Sequence, residues 1–164
     1  MTDELPAALH ARITALCEAG DAAGDAGDHA AALRRYGEAW ASLPSPPERW
    51  AAAVWIVSSI GDVRLARGET GPALAAFTDA LAWDGPGNPY LHLRRGQCLL
   101  DLGEPDGAAD ELCRAYMGGG EELFEGDDPR YFAFLRTRIA PPPGGWPGDS
   151  IMQSDPDASE RPGR

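Results

Sequence analysis

No lysine occurs among the 164 residues; all 14 basic side chains are arginine. With so much Ala, Gly and Pro, this reads as the codon bias of a GC-rich genome and not as a functional signal. Positive charge is scarce altogether, since 26 acidic side chains leave a formal net charge of −12 and a pI of about 4.5. Nucleic-acid binding needs a basic face, so that class is set aside. Anionic membrane surfaces are excluded on the same ground, and a basic partner or plain solubility is favoured. Cysteine is sparse and odd in number, at Cys17, Cys98 and Cys113, with no CxxC pair. All three sit on apolar helical stretches, where free cysteine behaves as a small hydrophobe. A disulfide framework is therefore not expected, and a reducing cytoplasm is. Nothing approaches the roughly 18 uninterrupted apolar residues of a membrane span. The opening stretch MTDELPAALHARITALCEAG has no basic region followed by an apolar one, so no secretory leader is expected.

What is present is helical periodicity. The length suits one domain. Leu5, Leu9, Ile13 and Leu16 recur at spacings of three and four and predict a helix over 4–24. Asp28 is a plausible N-cap for a second helix running through Leu33, Tyr36 and Trp40 to Leu43, where Pro44 stops it. Residues 45–48 form a short rigid linker. Residues 50–84 predict two more helices around a glycine-marked turn, neither polar enough to stand uncovered.

These hairpins are one unit repeated. Glycines fall at Gly20, Gly61 and Gly96, and again at Gly27, Gly68 and Gly103. Alanines fall at Ala32, Ala73 and Ala108; large apolar residues at Tyr36, Phe77 and Leu112; alanines again at Ala39, Ala80 and Ala115. Every column advances by 41 and then by 35 residues. Five columns sharing two offsets mark an internal repeat in the range of helical solenoids. Small residues let paired helices approach to about 8–10 Å, and the large residue fills the groove this opens.

The pattern resembles the tetratricopeptide repeat, a helix–turn–helix unit of about 34 residues. The resemblance covers about residues 10–120 and is carried by Gly20, Gly61 and Gly96, by the small–large–small runs, and by the terminating Pro44. It implies an all-α, TPR-like solenoid of three helix–turn–helix units at about 5–44, 50–85 and 88–118. A capping helix is expected at about 129–139, where Asp128 and Pro129 open it and Tyr131, Phe132, Phe134, Leu135 and Ile139 give it an apolar face. The domain thus runs over 1–139. Residues 140–164, rich in Pro and Gly, are expected to be a disordered tail.

Chemistry is not expected. His10, His29 and His92 are far apart in sequence, so neither a metal nor a cofactor is predicted. Asp127–Asp128 and Glu121–Glu122 read as solvated acidic turns, and Gly118–Gly120 lacks the strand and lysine of a phosphate loop. The chain is read as no enzyme. The resemblance instead implies a concave groove lined by the first helix of each unit. Helical spacing nominates Asp21 in the first unit; Trp55, Ser58, Ser59 and Asp62 in the second; and Tyr90, Arg94, Gln97 and Asp101 in the third. Aromatic anchors within a charged rim suit a protein partner. The bland alternatives are that Trp55 and Tyr90 pack against neighbouring units and that Asp62 and Asp101 are merely solvated. The clamp that some family members use for acidic chaperone tails is unmatched: its places hold Cys17, Asp21, Trp55, Ser59 and Arg94.

In the third unit, GNPYLHLRRGQ places Arg94 toward the groove, Arg95 to the side and His92 half-buried. With Trp50, Trp55, Ile60–Gly61–Asp62 and RAYMGGG, this segment is similar to small bacterial TPR-like proteins encoded beside secreted polymorphic toxins. That resemblance implies a cytoplasmic immunity (antitoxin) protein whose partner is a basic toxin domain. The alternative is a TPR adaptor or secretion chaperone holding a client segment.

Overall fold

A computed structural model of the chain describes residues 4–146 and Asp149. Among these residues there are seven α-helices and no strand: α1 (Ala7–Asp25), α2 (His29–Ser42), α3 (Ala51–Ala66), α4 (Thr70–Asp84), α5 (Pro89–Asp101), α6 (Pro105–Gly119) and α7 (Pro129–Arg136). Short 3₁₀ turns at Pro47–Arg49 and Glu121–Phe124 link α2 to α3 and α6 to α7. The most extensive packing is within the pairs α1–α2, α3–α4 and α5–α6; α4 against α5 and α2 against α3 join the pairs in order. This is the helical solenoid the columns predict.

Each hairpin turns in the same way. Gly27, Gly68 and Gly103 take φ of 78°, 76° and 80°, a region that β-carbons disfavour. The following amide then reaches back five residues: Asp28 to the Ala23 carbonyl, Glu69 to Arg64 and Glu104 to Leu99, each at 2.9 Å. That is the Schellman ending, which satisfies carbonyls the helix leaves open. The next helices start from residues the sequence marks. Asp28 accepts from the Ala31 amide at 2.9 Å, Asn88 from Tyr90 and Leu91, and Asp128 from Arg130.

Inside each hairpin the repeat columns meet. A β-carbon on Gly20, Gly61 or Gly96 would lie 2.7, 2.7 or 2.6 Å from Tyr36 Cε1, Phe77 Cε1 or Leu112 Cγ. No side chain fits at those distances, so the glycine is what lets the large residue of the second helix lie flat on the first. Ala32, Ala39, Ala73, Ala80, Ala108 and Ala115 are all fully buried on either side of it.

The core falls into three clusters that follow the units in order. Ile13, Cys17 and Ile56 join the first two hairpins, and Trp40 stacks on Trp83 at 5.8 Å. Leu91 and Cys98 pack with Phe77 across the second boundary. Leu93 and Leu112 meet Phe124 and Leu135, so α7 covers the third hairpin. Trp146 adds to this cover, edge-on to Tyr116 and Phe132. Most of the tail assigned to 140–164, namely residues 147, 148 and 150–164, lies outside the described residues.

Candidate partner-binding groove

α1, α3 and α5 are the first helices of their hairpins, and their shared face carries most of the polar contacts between units. On α1, Asp21 accepts from the Tyr36 hydroxyl at 2.5 Å. Ser59 of α3 lies against the same phenol. Asp21, Asp25, His29, Tyr36, Ser59 and Asp62 surround an open cleft of about 330 Å³ between the first two units.

Asp62 begins a second network. Its Oδ2 accepts from the Tyr90 hydroxyl of α5. Arg94 Nε donates to that hydroxyl at 3.2 Å while lying 3.1 Å from Asp62 Oδ1. Its hydrogen is thus committed to Tyr90, and Asp62 Oδ1 is buried without a hydrogen-bond donor. The far side of Arg94 is also engaged: Nη1 donates to Gln97 Oε1 at 3.0 Å and to Asp127 Oδ1 at 3.1 Å, and Gln97 donates to Asp127 Oδ2 at 2.9 Å.

The electrostatics follow from this crowding. Burial lifts the Asp62 carboxyl above the ordinary aspartate range, against the pull of Tyr90 and Arg94. Burial and the adjacent carboxylates raise both Tyr36 and Tyr90, so each stays a phenol that donates. Burial works against the Arg94 charge, but Tyr90, Asp62 and Asp127 outweigh it and keep the guanidinium protonated.

Of the nominated aromatics, Trp55 is the open one, at 42% exposure, and Asp21 and Asp101 are exposed as well. Tyr90 is half-buried and shares a second cleft with Trp55 and Ser58. Asp21, Ser59 and Asp62 line the first cleft. Ser58 and Gln97 are buried, with the Ser58 hydroxyl donating to the Val54 carbonyl at 2.7 Å. Asp101 ties down the cap, accepting from the Tyr131 hydroxyl at 2.9 Å and from Arg130 at 2.6 Å. Arg95 turns aside to Glu111 at 2.6 Å. His92 is buried between Glu111 Oε2 at 2.7 Å and the Pro86 carbonyl at 2.9 Å, locking α5 to α6.

Asp128 is exposed, as an acidic turn predicts, and caps α7, but Asp127 is half-buried and neutralises Arg94. No local signal links Asp127 to an arginine 33 positions earlier. Among the described residues no group of three or more His, Cys, Asp or Glu side chains is arranged to hold a metal ion.

Residues 59–121 match a family model for the tetratricopeptide repeat. That span runs from α3 through α6, and the fold is a TPR-like helical solenoid. The chain is similar to the first TPR of Spaghetti (RPAP3) bound to the HSP90 peptide SRMEEVD, with a TM-score of 0.59 and 17% identity over 77% of this chain and 91% of that one. It is also similar to a mutant Thermobaculum terrenum O-GlcNAc transferase, with a TM-score of 0.60 and 23% identity over 80% of this chain but 22% of that one. A third likeness is to MamA protein, with a TM-score of 0.56 and 17% identity over 70% of this chain and 63% of that one. At these identities the likeness speaks for the TPR fold alone. No match was found among curated proteins.

Proposed function

We propose that this TPR chain is a non-enzymatic protein-binding module, and specifically a bacterial immunity protein that binds and neutralises a basic secreted toxin domain in the cytoplasm. One observation carries the reading. The arginine of the groove is already held by Asp62 and Asp127, so the surface left for a partner is acidic and aromatic. A net charge of −12 extends that field beyond the groove and steers a basic partner toward it. Trp55 supplies an exposed aromatic anchor of the kind that dominates binding energy. Among the described residues no helix is long and apolar enough to cross a membrane, which suits action away from the bilayer.

The test is co-expression with the genes that neighbour this one, any toxin domain among them included. The chain should co-purify with the toxin domain and restore growth to cells that express it. Failure to bind any adjacent gene product ends this reading.

A second reading is a TPR adaptor or secretion chaperone holding an extended client segment. The likeness to a TPR domain carrying a bound peptide favours it. A client segment held at micromolar affinity, without protection against any toxin, would select it over immunity. Under either reading the acidic peptide SRMEEVD is a poor ligand, because Arg94 has no unneutralised charge to offer.

A further inference from the structure

The start of α3, the end of α4 and the start of α5 bring four aromatic rings to one place that lies beside the α1–α3–α5 polar face. Trp50, Trp55, Trp83 and Tyr90 line an open cleft of about 390 Å³, and Glu48 and Asp84 stand with them. No arginine is among its lining residues. Three of the four rings are held from behind. Trp83 is stacked on Trp40, the Trp50 indole donates to the Pro44 carbonyl at 2.8 Å, and the Tyr90 hydroxyl is bound to Asp62. Asp84 is also positioned, since Asn88 Nδ2 donates to its Oδ2 at 2.7 Å. Trp55 alone among the rings is largely exposed.

Aromatic faces attract a cation through their quadrupole, and a carboxylate beside them completes its charge. A guanidinium gains most, because it is planar, stacks on rings and forks to a carboxylate. Rings already fixed in place lose little freedom when such a group enters. We propose that this cleft is the specificity pocket of the chain and takes an arginine side chain of the protein partner, between the Trp55 and Trp83 rings and the Glu48 and Asp84 carboxylates. The proposal rests on the protein-binding reading above and names the chemistry of the partner at one position.

The test uses the full chain and a blocked Gly-Arg-Gly peptide, followed by the indole N–H resonances of the five tryptophans. Trp50, Trp55 and Trp83 should shift, with binding in the range of about 1–10 mM. Trp146, which lies against α7, should not. The matching citrulline peptide has the same shape without the charge and should bind about tenfold more weakly. Glu48→Gln with Asp84→Asn should weaken the arginine peptide to the citrulline level while the helical circular dichroism stays unchanged. Equal binding of the two peptides, equal shifts at Trp146, or no shift at any concentration would overturn the pocket. The parent reading fails separately. If a captured toxin domain binds wild type and the double variant alike, the pocket is wrong and protein binding stands. If the peptide enters the cleft but no toxin is captured, immunity is wrong and the pocket stands.

Discussion

Gly61 meets Phe77 where no β-carbon fits, while Gly37, also helical, has nothing within 4 Å of where its β-carbon would lie. The two make a matched pair for testing the repeat. Gly61→Leu should destabilise the chain by about 3 kcal/mol, the upper range for an overpacked core. Gly37→Ala should stabilise it by about 1 kcal/mol through helix propensity alone. Chemical denaturation measures both, and equal effects would contradict the close-packing role. Asp62 makes a second prediction at this scale. Its folded carboxyl binds a proton more readily than an ordinary aspartate at 3.8. Such a group lends stability that is fully present below 3.8 and is lost as pH rises through its raised folded-state value. Asp62→Asn removes that titration. The melting temperature of the variant relative to wild type should therefore climb as pH is taken from below 3.8 to neutrality. A flat or falling difference would contradict the burial argument.

At the scale of elements, α7 is held by a few named contacts. Asp101 of α5 receives the Tyr131 hydroxyl and Arg130, and burial with Asp101 pushes the Tyr131 phenol up to about 12. Asp101→Ala should cost about 1–2 kcal/mol locally, because the Tyr131 hydroxyl is left without its acceptor. Hydrogen exchange should quicken across 129–136 and stay unchanged in α1 and α2; uniform quickening would mean α7 is not a separable cap. The hairpins themselves were legible because each rests on residues close in sequence. Gly20 and Tyr36, or Gly61 and Phe77, lie 16 positions apart across a single hairpin turn, and Asp28, Asn88 and Asp128 cap helices that begin beside them. The groove was legible in part. Trp55 and Asp62 follow from helical spacing, but the Tyr90–Asp62 bond spans 28 positions and the Arg94–Asp127 pair 33. Those distances depend on how one hairpin is set against the next, which periodicity does not encode. The cleft escaped for the same reason, since Glu48 lies in the linker before the second unit and Trp83 near that unit's end.

For the whole molecule the field is acidic, and the groove repeats that sign locally. Arg94 has its charge returned by two carboxylates, so the SRMEEVD peptide should show no saturable binding by fluorescence anisotropy. Asp127→Asn leaves Arg94 with one carboxylate partner and should raise that affinity detectably. A wild-type chain that binds the acidic peptide tightly would contradict the neutralised-arginine account. Attraction between an acidic solenoid and a basic partner should also weaken with salt, since charges more than about 8 Å apart are screened at physiological ionic strength.

The most direct measurement of the central claim takes the partner captured by the chain, under the proposed reading a basic toxin domain, and compares its binding to wild type and Trp55→Ala at low and high salt, with circular dichroism of both chains. Trp55 is exposed and its indole makes no hydrogen bond among the described residues, so its removal should leave the helices intact. The account predicts that Trp55→Ala weakens binding about tenfold or more, that salt weakens both complexes, and that the dichroism spectra superimpose. Unchanged affinity on removal of the indole, or binding that strengthens with salt, would contradict an acidic and aromatic groove as the site of the partner.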